Sequence, residues 1–107
     1  MSFFSALFGK TDNGALTQAV NNGAFLVDVR TPAEFSAGSV KNAVNIPLDT
    51  VQAQLKKFKD KKSIVVFCRS GNRSRQAKSI LEQNGFLHVI NGGTWKNVNR
   101  VVGKREN

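Results

Sequence analysis

The chain has 107 residues, 40% hydrophobic and 21% charged, enough for one domain with a core and too few for two. Nine Gly, two Pro and no biased tract exclude a collagen-like or disordered chain, while one Cys and one His exclude an intrachain disulfide and a Cys- or His-built zinc site. Net charge is +9 and lopsided, with three basic and four acidic residues over 1–55 but thirteen and three over 56–107, so an anionic partner enters the reading at once.

Residues 1–10, MSFFSALFGK, are apolar but carry no basic residue ahead of the apolar run, so they do not read as a signal peptide. Phe3, Phe4, Leu7 and Phe8 suit a helical turn docked on the domain, with a membrane-surface anchor or a partner contact as the alternative. No stretch approaches the roughly 20 apolar residues of a membrane span, and a cytoplasmic location is expected. A single domain is expected over 11–103, with a tail at 104–107. Residues 15–22 read as a short helix stopped by Asn22-Gly23. Residues 25–29 (FLVDV) form a strand, residues 33–37 one helical turn ended by Gly38, and residues 44–46 a short strand closed by Pro47.

Leu48, Val51, Leu55 and Phe58 recur at helical spacing after Pro47 and predict one helix, with lysines 56, 57, 59, 61 and 62 crowding its C-terminal end. Residues 63–67 follow, apolar from Ile64 onward. Such a run marks a central strand buried on both faces. Ala77, Ile80 and Leu81 then define the stripe of a helix ending near Gly85. Residues 88–90 read as a strand, Gly92-Gly93 as a turn, and 95–102 as a last helix. Strands alternating with helices through short connections predict an α/β fold around a mostly parallel sheet of four or five strands.

Cys68 stands at the carboxyl end of the most apolar strand, where parallel sheets place ligands. It opens the sequence Cys68-Arg69-Ser70-Gly71-Asn72-Arg73-Ser74, followed by a helix. A helix N-terminus directs unpaired N–H groups at such a loop, and Arg69 and Arg73 add full positive charge. Both favour thiolate over thiol, so a lowered Cys68 pKa is expected. Gly71 lets the loop curl with its amides inward, and Ser70, Asn72 and Ser74 add hydrogen-bonding capacity. A buried Cys at a strand end is by itself an ordinary core residue. The basic, glycine-containing loop and helix beside it point instead to an anion cradle with a nucleophile at its floor.

Leu26-Val27-Asp28-Val29-Arg30, Glu34-Phe35, Gly38, Ala43, Asn45-Ile46-Pro47, the segment from Val66 to Ser74, and Gly92-Gly93 occur here in the order found in single-domain rhodaneses. The chain resembles that thiosulfate sulfurtransferase family over about residues 23–95. The resemblance implies a small rhodanese-like α/β domain and a Cys68 that cycles between thiolate and persulfide, with the amides of Arg69 to Arg73 around the transferred sulfur. It implies a small anionic sulfur donor such as thiosulfate, a thiol or cyanide acceptor, with a protein sulfur acceptor also open, and no cofactor. Asp28, Arg30 and Glu34 look architectural in the family pattern. Two positions depart from it: Ser39 stands where the family usually has His, and Asn97 where it has an aromatic residue, with Trp95 two positions earlier.

Loop length separates a rival. Related phosphatases place five residues between Cys and Arg, sized for a tetrahedral oxyanion, whereas Cys68 and Arg73 enclose four. A second class of function is a rhodanese-fold sulfur carrier or interaction module without turnover. Nucleic acid is disfavoured, because only Phe58 is interleaved with the lysines and it fits the core stripe. Asp28 has no His partner in sequence, so no Cys-His-Asp triad is expected. His88 reads as structural and Trp95 as a core or edge-packing aromatic.

Overall fold

In the computed structural model, which describes residues 13–106, strands β1 (Phe25–Asp28), β2 (Val44–Asn45), β3 (Ile64–Cys68) and β4 (Val89–Thr94) form one parallel sheet in the order β2-β1-β3-β4. The helical turn expected within 1–10 lies outside the described residues. All five residues of β3 are buried, and alternation sends neighbours to opposite faces. Ile64, Val66 and Cys68 join one core cluster, and Val65 and Phe67 join the other. Each face therefore needs its own cover. Helix α3 (Asn72–Gln83) covers the first through Ala77 and Leu81, helped by Val51 and Phe58. Helix α1 (Asn13–Asn21) covers the second through Leu16, Ala19 and Val20, beside α4 (Trp95–Glu106), which contributes Val98, Val101 and Val102.

Three expectations are corrected. Residues 48–58 form two 3-10 segments, Leu48–Thr50 and Gln52–Phe58, broken at Gln54 (φ −120°, ψ 30°), rather than one helix. Thr50 brings both its N–H and its hydroxyl to the Pro47 carbonyl at 2.8 Å, which closes a three-residue turn. The 3-4-3 spacing of the apolar residues suits two short turns as well as one helix, and Val51 and Phe58 are still buried. Gly92-Gly93 lies within β4 rather than in a turn. Finally, α4 continues to Glu106, through most of the segment read as tail.

The glycine pair has a steric cause. Val66 pairs with Asn91 but Phe67 with Gly93, so Gly92 is an extra residue bulged out of register. A Cβ at Gly92 would lie 2.6 Å from Val98 Cγ2 and 3.0 Å from Val65 Cγ1, with both valines fully buried. Only hydrogen fits there while α4 packs on the sheet.

Helix α2 (Pro32–Ala37) starts with a reciprocal cap. Glu34 N–H donates to Thr31 Oγ1 at 3.2 Å, and Thr31 N–H donates to Glu34 Oε1 at 3.0 Å. The same carboxylate receives the Arg73 fork from α3, at 2.7 and 3.1 Å. The Arg73 bonds, and then the Thr31 amide, hold Glu34 down from an ordinary 4.5 to about 2.

Two predictions follow from these contacts. Gly92→Ala costs about 1–3 kcal/mol of stability, read as a lower thermal midpoint, and Val98→Ala in the same chain restores part of it; additive losses would refute the clash. For Glu34, a depressed pKa contributes stability that is complete above pH 4.5 and lost as pH falls toward 2. Over that window the wild-type midpoint should fall toward that of Glu34→Gln, with the gap narrowing in salt. Parallel pH profiles would rule out the linkage.

Candidate active site

Because Cys68 follows Ile64, Val66 on the same face of β3, its side chain lies at the floor of the loop that leads into α3. The first turn of a helix has N–H groups without partners, and a cap side chain ordinarily accepts one of them. Here the cap residue is Gly71, which has no side chain and takes the left-handed conformation at φ 97°. The cysteine sulfur fills the vacancy. Gly71 N–H donates to Sγ at 3.0 Å and Ser74 N–H at 3.4 Å, with the Ser74 hydroxyl also 3.4 Å away. An anion is the preferred acceptor at such a helix end.

Burial pushes the Cys68 thiol up, but the hydroxyl of Ser74 and the amides of Ser74, Gly71 and Ser70 outweigh it, and the pKa falls below the ordinary thiol value. The direction agrees with expectation, while the contacts responsible are amides and a hydroxyl rather than guanidinium groups. Arg73 directs its fork to Glu34, which raises the pKa of Arg73 ahead of any contribution from Cys68. Arg69 is exposed and has no hydrogen bond or ion pair among the described residues. Asn72 is exposed as the first residue of α3, and Ser70 contributes its amide alone.

Asn91 is a site residue that the sequence did not single out. Its Oδ1 accepts the Ser74 hydroxyl at 2.7 Å and the Gly93 N–H at 2.9 Å, and its Nδ2 donates to the Gly71 carbonyl at 3.3 Å. It thus ties the middle of the loop and the first turn of α3 to β4. The one available signal was its place immediately before the glycine pair, and periodicity assigns that position no role.

Asp28 and Arg30 sit at the end of β1 and are both buried. Arg30 donates through Nε and Nη2 to the Asp28 carboxylate at 2.7–3.0 Å and through Nη2 to the Gly38 carbonyl at 2.6 Å. Ser39 Oγ donates to Asp28 Oδ2 at 2.6 Å. The Arg30 guanidinium also lies 4.9 Å from the Trp95 ring centre. Beside the loop, Arg30, Glu34, Arg69, Thr94, Trp95 and Lys96 line a groove of about 460 Å³. A larger depression of about 620 Å³, which includes Leu87 and His88, contains no residue of the Cys68 loop. His88 is exposed and gives its carbonyl to the Ile64 N–H at 2.8 Å.

Residues 12–97 match the rhodanese-like domain. A sulfurtransferase of Allochromatium vinosum is 33% identical over 87 residues, covering 79% of this chain and 81% of that protein. The thiosulfate sulfurtransferase PspE of Escherichia coli is 39% identical over 74 residues, covering 67% and 71%. A rhodanese from E. coli solved with anions superposes at a TM-score of 0.65 and 35% identity, over 70% of this chain and 91% of that one. A match across residues 12–97 means that the chain, with its four-stranded parallel sheet, belongs to the rhodanese-like domain family.

Proposed function

We propose that this chain transfers a sulfane sulfur from thiosulfate, or a similar anionic donor, to a thiophilic acceptor through a persulfide on Cys68. Sulfurtransferase relatives support sulfur transfer in general. The observation that carries the finer reading is the convergence of the Gly71 and Ser74 N–H groups on a buried Sγ. In the first step the thiolate attacks the outer sulfur of thiosulfate. A bond forms between Sγ and that sulfur, the donor's S–S bond breaks, and its electron pair leaves with sulfite. The persulfide carries its charge on the outer sulfur, where loop amides stabilise it as they would an oxyanion. An acceptor such as cyanide or a thiolate then attacks the outer sulfur, and the electron pair returns to Sγ. Charge is conserved in both steps, and neither needs an external oxidant or reductant.

Arg69, exposed and unpaired among the described residues, is suited to draw in the donor and to accompany the departing sulfite. Arg73 contributes mainly by its link to Glu34. A second reading has a supporting observation too. Cys68 is fully buried, which suits a sulfur carrier that accepts sulfur from a small donor, gives it up only to one protein partner and does not turn thiosulfate over.

Cys68→Ser should abolish thiocyanate production from thiosulfate and cyanide while the thermal midpoint stays close to wild type; residual turnover would sink the mechanism. Intact mass after thiosulfate treatment separates the readings. Gain of one sulfur atom with turnover supports the enzyme, gain without turnover supports the carrier, and no gain rejects both. Arg69→Ala should raise KM for thiosulfate about three- to tenfold at low salt with kcat little changed. The effect should shrink as salt rises, and an unchanged KM would remove Arg69 from donor capture.

A further inference from the structure

Among the described residues, the Ser74 hydroxyl is the one side-chain polar partner of the Cys68 sulfur, 3.4 Å away. A serine hydroxyl carries a single proton. Where that proton goes follows from Asn91. The Gly93 N–H donates at 2.9 Å to one terminal atom of the Asn91 amide, so that atom is the oxygen, which accepts and cannot donate. The Ser74 hydroxyl lies 2.7 Å from the same oxygen and is therefore the donor of that pair. Its proton is then unavailable to Cys68. A thiol tolerates this, because its S–H can donate to Ser74 Oγ, and the chain runs from Cys68 through Ser74 to Asn91. A thiolate has no proton to give. For Ser74 to donate to it, the hydroxyl must turn away from Asn91, which leaves Asn91 Oδ1 with the Gly93 amide alone.

We infer that Asn91 is a positioning residue that competes with the Cys68 thiolate for the Ser74 proton and thereby sets how readily the cysteine ionises. The contribution of the Ser74 hydroxyl to the lowered Cys68 pKa is available only in the turned orientation. A consequence for turnover rests on the proposed persulfide. Once Sγ bears an outer sulfur it is no longer the anionic atom, and the Ser74 proton returns to Asn91. Asn91 therefore favours the loaded cysteine over the empty thiolate. The charged groups near the site are Arg69 in the loop, Arg73 on α3, Glu34 on α2, Asp28 and Arg30 at the end of β1 and Lys96 on α4, and β4 supplies none. Asn91 thus acts without changing the charge of the site.

Cys68 is the chain's one cysteine, so the pH profile of its alkylation by iodoacetamide reads its ionisation directly. Asn91→Ala should raise the rate well below the midpoint by about threefold or more, since thiolate fraction scales tenfold per pH unit there. In the Ser74→Ala background the same substitution should leave that rate unchanged. A merely structural role predicts an equal change in both backgrounds, because losing the bond to the Gly71 carbonyl would loosen the loop over the fully buried sulfur whether or not Ser74 is present. If Asn91→Ala does not fold, Asn91→Asp keeps an acceptor for Gly93. Its carboxylate should slow low-pH alkylation more with Ser74 present than in the Ser74→Ala background. A rate unchanged or lowered by Asn91→Ala, an equal rise without Ser74, or an equal slowing by Asn91→Asp in both backgrounds would overturn the inference. Alkylation needs no sulfur donor, so its outcome is independent of whether thiosulfate is turned over.

Discussion

A sulfur buried among β-strand side chains carries negative charge only if N–H groups converge on it, and the loop is organised around that constraint. Taking an ion out of water costs several kcal/mol, while each hydrogen bond to a charged group contributes about 1.5–3 kcal/mol. Two or three donors are therefore the minimum that offsets burial. The Gly71 and Ser74 amides reach Sγ only because Gly71 turns left-handed between β3 and α3. Such a turn is held by its surroundings. Asn91 fixes the Gly71 carbonyl and the Ser74 hydroxyl, and the Arg73–Glu34 fork fixes the first turn of α3 to α2. Asn91 itself stands just before the bulge at Gly92, where Val98 and Val65 leave no room for a side chain. A contact between two core valines and a glycine thus reaches the Cys68 loop through one amide side chain.

The two departures from the family pattern make sense in the same terms. Asp28 is a fully buried carboxylate, and Arg30 with Ser39 supplies its donors. A serine hydroxyl at 2.6 Å completes that set, so a His is not needed for this purpose. At the other departure, Asn97 N–H donates to Thr94 Oγ1 at 3.1 Å, which caps α4, and Asn97 Nδ2 donates to the Gly92 carbonyl at 3.3 Å. A polar residue at 97 thereby gives the Gly92 carbonyl, at the bulge, a side-chain donor. Trp95 packs against the core and over Arg30.

Where burial is complete, the sequence reads clearly. The run from Ile64 to Phe67 announces a strand covered on both faces, and that alone requires helices on two sides. The loop after it is legible because Cys, Gly and two Arg in six residues have no common structural purpose. Residues 48–58 are less legible, since a 3-4-3 apolar spacing is shared by one α-helix and two 3-10 turns, and Thr50 decides between them through a side-chain bond. The glycine pair misleads for a related reason. Glycine marks a turn or a steric vacancy equally, and only the position of Val98 distinguishes them. Asn91 is invisible because its role depends on the register shift between β3 and β4: it pairs with Val66 just before the bulge and meets Ser74 and Gly71 through the fold rather than through sequence.

Charge gives the last distinction, between a loop for a single sulfur and one for phosphate. A phosphate cradle needs a guanidinium free to fork two oxygens of a tetrahedral anion. Arg73 is the arginine at the matching end of this loop, and both of its terminal nitrogens already face the Glu34 carboxylate. Releasing it would strip Glu34 of the contact that keeps its pKa near 2. The remaining loop cation, Arg69, projects into the groove beside Trp95 and Lys96. What stays over Sγ is the pair of Gly71 and Ser74 amides at 3.0 and 3.4 Å, and under the proposed reading a donor's oxygens stay outside the loop. Thiosulfate meets that condition, because the atom it transfers is terminal and its oxygens remain with the leaving group.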